Sequence, residues 1–256
     1  MCAIGSVALS APNAVEPRLT ATAASAPGVR AELSWVSQRI INATNAFRKQ
    51  ETLRPVEGNP RLSEAAAYFA DYMARTSEYS HEADGGTPAS RANRFGYDHC
   101  IISENIAYQF NLAGFTPEQL AERLVEGWKH SPGHRKNMLD PDISDIGVAT
   151  ARSAKTGYYY AVQMFGRAKS STIAFAIANR SGTAFTYTLG DQKFPLSPRT
   201  TRSHEGCRPA QLMLLPPGGE PQVLPVQPDN GDRFVVLKEN GSLAIRKEGK
   251  KEGQMR

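Results

Sequence analysis

No apolar run in this 256-residue chain approaches the roughly 20 residues that a bilayer-spanning helix requires, so no integral membrane segment is expected. The usual marks of nucleotide chemistry are missing as well, since there is neither a P-loop nor a G-x-G-x-x-G turn. The absence of a G-x-S-x-G elbow removes one standard route to a serine nucleophile. His81-Glu82 begins like the H-E-x-x-H zinc motif, but its fifth position is Gly85, and that reading fails. Cysteine is scarce, at three, and Cys100 and Cys207 lack the paired spacing of a structural zinc site. No internal repeat of fixed period is present. Charge of one sign is also lacking where it would matter. Residues 35–168 carry fifteen basic and fifteen acidic side chains, and the net +5 falls wholly in residues 169–256, with thirteen against eight. A neutral main segment is not a phosphate-tracking surface, so no nucleic-acid partner is expected.

What is present is the composition of an ordinary globular protein, 40% hydrophobic and 21% charged, long enough for a self-sufficient core. Residues 1–34 are small, apolar and then Ala/Ser/Thr/Pro-rich, with an A-x-A candidate at Ala21-Thr22-Ala23. They resemble the back half of a secretory signal without its basic n-region; the alternative is a disordered N-terminus, and export is preferred. Setting that segment and Cys2 aside leaves Cys100 and Cys207, either a disulfide or two buried free thiols. The ending at 250–256 mixes Lys, Arg and Glu with Gly and reads as a solvated charged tail.

Between the ends, Val36, Ile40, Ala43 and Phe47 form a helical stripe, and Asn59-Pro60 reads as an N-cap and first turn for a second stripe of Leu62, Ala66, Phe69 and Met73. A long polar connection follows, in which Gly85-Gly86 and Pro88 break any regular element. Thr116-Pro117-Glu118-Gln119 is a capping box that opens a helix with Leu120, Leu124 and Trp128 on one face, ended by Ser131-Pro132-Gly133. "ISDIGVATA" and "GYYYAVQMFG" alternate with period two around Lys155-Thr156-Gly157, a hairpin. From residue 169 the pattern turns strand-like, with Asn240-Gly241 as a two-residue hairpin turn, so 35–168 and 169–249 are expected to be a main domain and a small β-rich module.

The side chains that could do chemistry are His81, Glu104 and His134, at breaks between elements, His134 on the helix-ending elbow. Two imidazoles and a carboxylate suit an open divalent-metal site or a proton-transfer group; singly, each is more simply a solvated or capping residue. Glu126 lies about 200° around the helix from Leu124 and is expected at the surface, Trp128 in the core, with Arg135 and Asn137 bracing the elbow.

The ordered blocks "YSHEADGGTPASRANRFGY", "SENIAY", "EGWKHSPGHRKNML", "DIGVAT" and "YYYAVQMFG", over residues 36–167, resemble the bacterial branch of the CAP superfamily, the SCP/PR-1-like proteins. The resemblance implies an α+β fold, a three-layer α-β-α sandwich with a cleft, here followed by the β-rich module, in a secreted protein (extracellular or periplasmic). It matches His81 and His134 to the two cleft histidines and Glu104 to the carboxylate of the G-E-N-I block, with Ser103 in place of the usual glycine. The second acidic cleft residue of other members falls on Ser131, which leaves the cleft less negative and argues for at most a weakly held divalent cation such as zinc, on His81 and His134.

The expected function is a secreted, monomeric, non-enzymatic module whose cleft takes a small hydrophobic or lipid-like ligand, an extracellular partner or that cation. The alternative is a metal-assisted or His/Glu-based hydrolase with Ser131 as a conceivable nucleophile, although Ser131 reads better as a helix-end hydroxyl. The module after residue 169 could serve as an adaptor to acidic surface polymers.

Overall fold

A computed structural model describes residues 27–215 and 225–249, with side chains from residue 32 onward. The signal-like stretch with Cys2 and Ala21-Thr22-Ala23, and the tail at 250–256, lie outside the described residues.

The main segment runs α1 (Pro27–Gln50), β1 (Glu57–Gly58), α2 (Pro60–Thr76), α3 (Pro88–Arg94), β2 (His99–Gln109), α4 (Pro117–His130), α5 (Pro132–Met138), β3 (Asp145–Arg152) and β4 (Tyr159–Ala168). The four strands form one sheet in the order β1-β3-β4-β2, antiparallel except for β1 against β3. Strand alternation sends successive side chains to opposite faces. Ile146, Val148, Ala161 and Phe165 pack under α1, α4 and α5, around Val36, Ile40, Leu124 and Trp128. Ala149, Ala151, Val162 and Met164 pack under α2 and α3, around Leu62, Phe69, Met73 and Ala92. This is the three-layer α-β-α arrangement, with all four stripe residues of α2 buried and Ala43 the least buried of α1's.

Local chemistry explains the helix starts. Asn59 Oδ1 accepts from the amides of Arg61 and Leu62, and Thr116 makes a reciprocal capping box with Gln119. Gly147 is where β3 meets α2 most closely: a Cβ there would overlap the backbone of Leu62 and Ser63. Gly147→Ala is therefore expected to lower stability by about 1–3 kcal/mol, the usual cost of overpacking, and a denaturant midpoint equal to wild type would contradict that contact.

Four sequence expectations need correction. The polar connection after α2 contains a helix: Pro88, a breaker on the sequence pattern, is the first residue of α3, because Thr87 caps it in a capping box with Ser90. Likewise Ser131-Pro132-Gly133 ends α4 but also opens α5, so His134 stands in the first turn of a second helix rather than on a bare elbow. Glu104 is not at a break between elements; it lies in the middle of β2. Finally, α1 begins at Pro27, upstream of the boundary expected at residue 35.

After a 3₁₀ turn (Lys169–Ser171) the chain is all strand among the described residues: β5 (Ile173–Asn179), β6 (Phe185–Leu189), β7 (Gln192–Leu196), β8 (Thr201–Gly206), β9 (Leu212–Leu215), β10 (Arg233–Glu239) and β11 (Ser242–Lys247). They form sheets β11-β10-β5-β8 and β7-β6-β9 around a separate core of Phe175, Ile177, Tyr187, Leu214 and Val236. Asn240 and Gly241 both have positive φ, 51° and 85°, as the tight β10–β11 turn demands. Cys100 and Cys207 form a disulfide with Cα atoms 5.4 Å apart, tying β2 to the strands that follow. Beside it, Arg208 pairs with Asp140 and Asp142, each at 2.7 Å.

Candidate functional site

The site is built on β2, which is an edge strand. An edge leaves every second carbonyl without a strand partner. Here Glu104 O accepts from Asn137 Nδ2 at 3.2 Å, and Ile106 O accepts from both Trp128 Nε1 and Tyr79 OH at 3.1 Å. Side chains of α4, α5 and the loop after α2 thus close the edge, and in doing so bring His81 and His134 to the same strand.

On one sheet face, the Glu104 carboxylate is fully buried. Arg91 Nη2 donates to both of its oxygens at 2.9 Å and to His81 O at 2.9 Å, while Nη1 donates to Asp84 at 2.7 Å. The guanidinium carbon also lies 3.6 Å over the Phe69 ring. His81 Nδ1 meets Glu104 Oε1 at 2.8 Å, and about half of the His81 side chain faces solvent. Glu104 thereby fixes the His81 ring while its own charge is balanced by Arg91.

On the opposite face, Asn105 Nδ2 donates to His134 O at 3.2 Å and to Gln163 Oε1 at 2.9 Å, and Asn137 Nδ2 donates to Asn105 Oδ1 at 2.9 Å. Gln163 continues to Thr44, so a buried polar chain runs from α1 to α5. It holds the backbone of His134 and leaves the ring half-exposed, near enough to His81 for the two imidazoles to interact electrostatically. Arg135 pairs with Glu51 at 2.7 Å, and buried Arg48 donates to the carbonyls of Met138 and Asp140. The expected bracing role of Arg135 and Asn137 is what these contacts describe. Trp128 is in the core and Glu126 is on the surface against Lys129, as expected.

Arg91, Asp84, Asn105 and Gln163 went unread in the sequence. The Thr87–Ser90 capping box was the available signal that "ASRANR" is a helix that could bury an arginine.

Burial, and secondarily the neighbouring His81, pushes His134 below its ordinary value of 6.5. In the β-rich strands burial, and secondarily Arg202, does the same to His204, which hydrogen-bonds Tyr187. As pH falls past 6.5 the unfolded chain takes up these protons first. Stability should therefore be full above that value and decline as pH drops through the depressed folded values, a slope that His134→Ala should shallow in melts between about pH 7.5 and about pH 5. Since its ring has no buried partner, His134→Ala at neutral pH should cost less than about 1 kcal/mol.

A divalent ion does not fit well. Glu104 is committed to Arg91 and His81, which leaves only imidazole nitrogens, and no group of three or more His, Cys, Asp or Glu among the described residues is arranged to hold an ion. Ser131 sits at the α4–α5 junction, where its hydroxyl caps neither helix and bonds neither histidine. Nothing in its surroundings activates it as a nucleophile.

Residues 41–165, which hold this whole assembly, match the CAP family, described as the cysteine-rich secretory protein family. This chain carries a CAP domain. A curated Bacillus subtilis relative, the uncharacterized protein YkwD, is 29% identical over 149 residues, which are 58% of this chain and 52% of that protein. A second, the uncharacterized membrane protein YlbC of the same organism, is 29% identical over 46% of this chain and 32% of its own length. The chain thus spans about half, or less, of the curated relatives it matches. Among solved structures, an outer surface protein of Borrelia burgdorferi is 20% identical over 52% of this chain and 93% of its own, with a TM-score of 0.46. An extracellular SCP-domain protein of Bacillus anthracis is 26% identical over 52% of this chain and 41% of its own, with a TM-score of 0.44. No helix among the described residues is long and apolar enough to cross a membrane.

Proposed function

We propose that this CAP-domain protein acts outside the cytoplasm as a monomeric, non-enzymatic binding module, and that its recognition site is the surface around His81 and His134, over Glu104. The observation that carries this reading is the buried Arg91–Glu104 pair, in which Arg91 Nη2 lies 2.9 Å from both carboxylate oxygens. A carboxylate neutralised in this way orients a histidine but is a poor general base or metal ligand. What remains is a pair of half-exposed imidazoles on a rigid floor, suited to hold the polar end of a small amphiphile or a partner's polar group and to hold a cation such as zinc only weakly. Export is supported by the Cys100–Cys207 disulfide, which belongs in an oxidising compartment, and by membership of a family described as secretory.

The test is to incubate purified protein with lauric acid, weigh the complex by native mass spectrometry, assay bound zinc, and screen ester and peptide hydrolysis. Retained laurate that is lost in the H81A/H134A double variant, without turnover, supports the module. Stoichiometric zinc with hydrolysis abolished by His81→Ala would replace it with the hydrolase reading.

A further inference from the structure

The main sheet has a second edge. Strand β1 covers only the start of β3, pairing Glu57 with Asp145 and Gly58 with Ile146 before the chain turns into α2. Ile146 O accepts from the Asn59 amide at 2.8 Å, and backbone groups alternate in direction along a strand, so Val148 and Thr150 aim theirs to the same side. Among the described residues, nothing hydrogen-bonds to the N–H or C=O of either one. Val148 is only 5% exposed, so these groups lie recessed, at the floor of a groove. Its walls are α1, through Ser37 and Ile41, and α2, through Glu64, Ala67 and Asp71.

Proteins ordinarily blunt an edge strand with a charge, a proline, a bulge or a covering element. β2 follows that rule, since Asn137, Trp128 and Tyr79 take up its outward carbonyls. β3 does not: Gly147-Val148-Ala149-Thr150-Ala151 has neither charge nor proline, and its register against β4 is unbroken. The groove is also one-sided in charge. Glu64 and Asp71 are exposed, stand about two turns apart on one face of α2, and form no ion pair among the described residues. Arg152 lines the groove as well, but its guanidinium lies 5.5 Å over the ring of Tyr159, its cross-strand partner on the α1 face of the sheet. The α2 wall is therefore acidic, and α1 contributes no charge.

We infer that the open edge of β3 is a docking site for an extended, lysine- or arginine-bearing segment of a partner polypeptide, which adds a strand to the sheet where β1 leaves off. Its main chain pairs with Val148 and Thr150. Alternate side chains turn to the two walls, basic ones toward Glu64 and Asp71 and small apolar ones toward Ser37 and Ile41. The bare backbone groups select a polypeptide, because a sugar or an acyl chain offers no matching ladder of donors and acceptors. The unpaired carboxylates select a basic one. The inference goes beyond the surface around His81 and His134, which gather at the other edge of the sheet, on β2.

The experiment is fluorescence anisotropy of a labelled, end-capped octapeptide that alternates valine and lysine, titrated with the full chain at low and moderate salt. Saturable binding is expected. E64Q/D71N should weaken it by about fivefold, the combined worth of two exposed charge pairs, and flatten its salt dependence. Thr150→Pro deletes one edge N–H at a position where proline is tolerated, and should weaken binding by about tenfold. Ala67→Arg, at an exposed position of α2, should weaken it at least as much by filling the groove. H81A/H134A should leave it unchanged, which separates this result from the reading of the histidine surface. Thermal melts check that each variant folds; should Thr150→Pro fail, Ala67→Arg carries the test. Absence of binding, equal binding of the valine–glutamate octapeptide, or binding indifferent to Thr150→Pro and Ala67→Arg would each overturn the inference. So would binding that appears only when residues 1–26 are deleted, which would give the groove to the chain's own start. A dimer of the wild type that Ala67→Arg dissociates would give it to a second copy and overturn the inference equally.

Discussion

Replacing Arg91 by alanine is expected to destabilise the CAP domain by about 3–5 kcal/mol, the range for removing one partner of a buried ion pair. The side chains of Arg91, Glu104 and Asp84 are 2%, 0% and 4% exposed, so the deletion leaves two carboxylates out of water with no cation between them. Neither can recover its hydration without opening the loop that carries His81, whose carbonyl Arg91 also holds. Guanidinium unfolding of wild type, Arg91→Ala, Glu104→Gln and the double variant checks this. The double variant should be less impaired than the sum of the singles, because neutralising Glu104 removes one of the charges that Arg91 was needed to balance. Arg91→Ala costing less than about 1 kcal/mol would mean that the three side chains are hydrated in solution and that Glu104 is not held by Arg91.

The second large effect concerns the Cys100–Cys207 bridge. It closes a sequence separation of 107 residues, for which the chain-entropy account gives a stabilisation of between about 2 and about 5 kcal/mol. The link crosses between the main sheet and the β-rich strands, and the Arg208 pairs with Asp140 and Asp142 are the polar contacts beside it. Those pairs are half solvent-exposed on the arginine side and hold little by themselves. Reduction, or Cys207→Ser, should therefore lower the main calorimetric transition by several degrees and separate it into two. An unchanged thermogram, with no mass shift on alkylation after reduction, would show that the bond does not form. Arg208→Ala should have a much smaller effect than Cys207→Ser, since only the covalent link limits the unfolded chain.

These two features differ in how far the sequence alone revealed them. The cysteine pair could be seen, but not whether it bonds, because bonding depends on a spatial distance that the intervening chain leaves open. Arg91 was not seen at all: an arginine between serine and alanine has no periodic signature, and the default for Arg is the surface. Helix stripes and hairpins were legible since their periods of 3.6 and 2 are local. α3 and α5 were not, at seven residues each, because fewer than two turns show no stripe and a proline at the first position looks the same as one that ends a helix.

By itself, then, the sequence determined the α+β fold class, the buried faces of α1, α2 and α4, the β3–β4 hairpin, the strand-rich C-terminal part and the identity of His81, Glu104 and His134 as the residues to watch. Each follows from local periodicity, from capping chemistry or from the order of five motif blocks. Only the tertiary structure decided that Glu104 is tied down by Arg91 and that His134 is held by its carbonyl while its ring stays half-exposed. Those facts are set by which strand lies at the sheet edge and by what long-range packing covers or leaves bare, and neither is written in the spacing of residues along the chain.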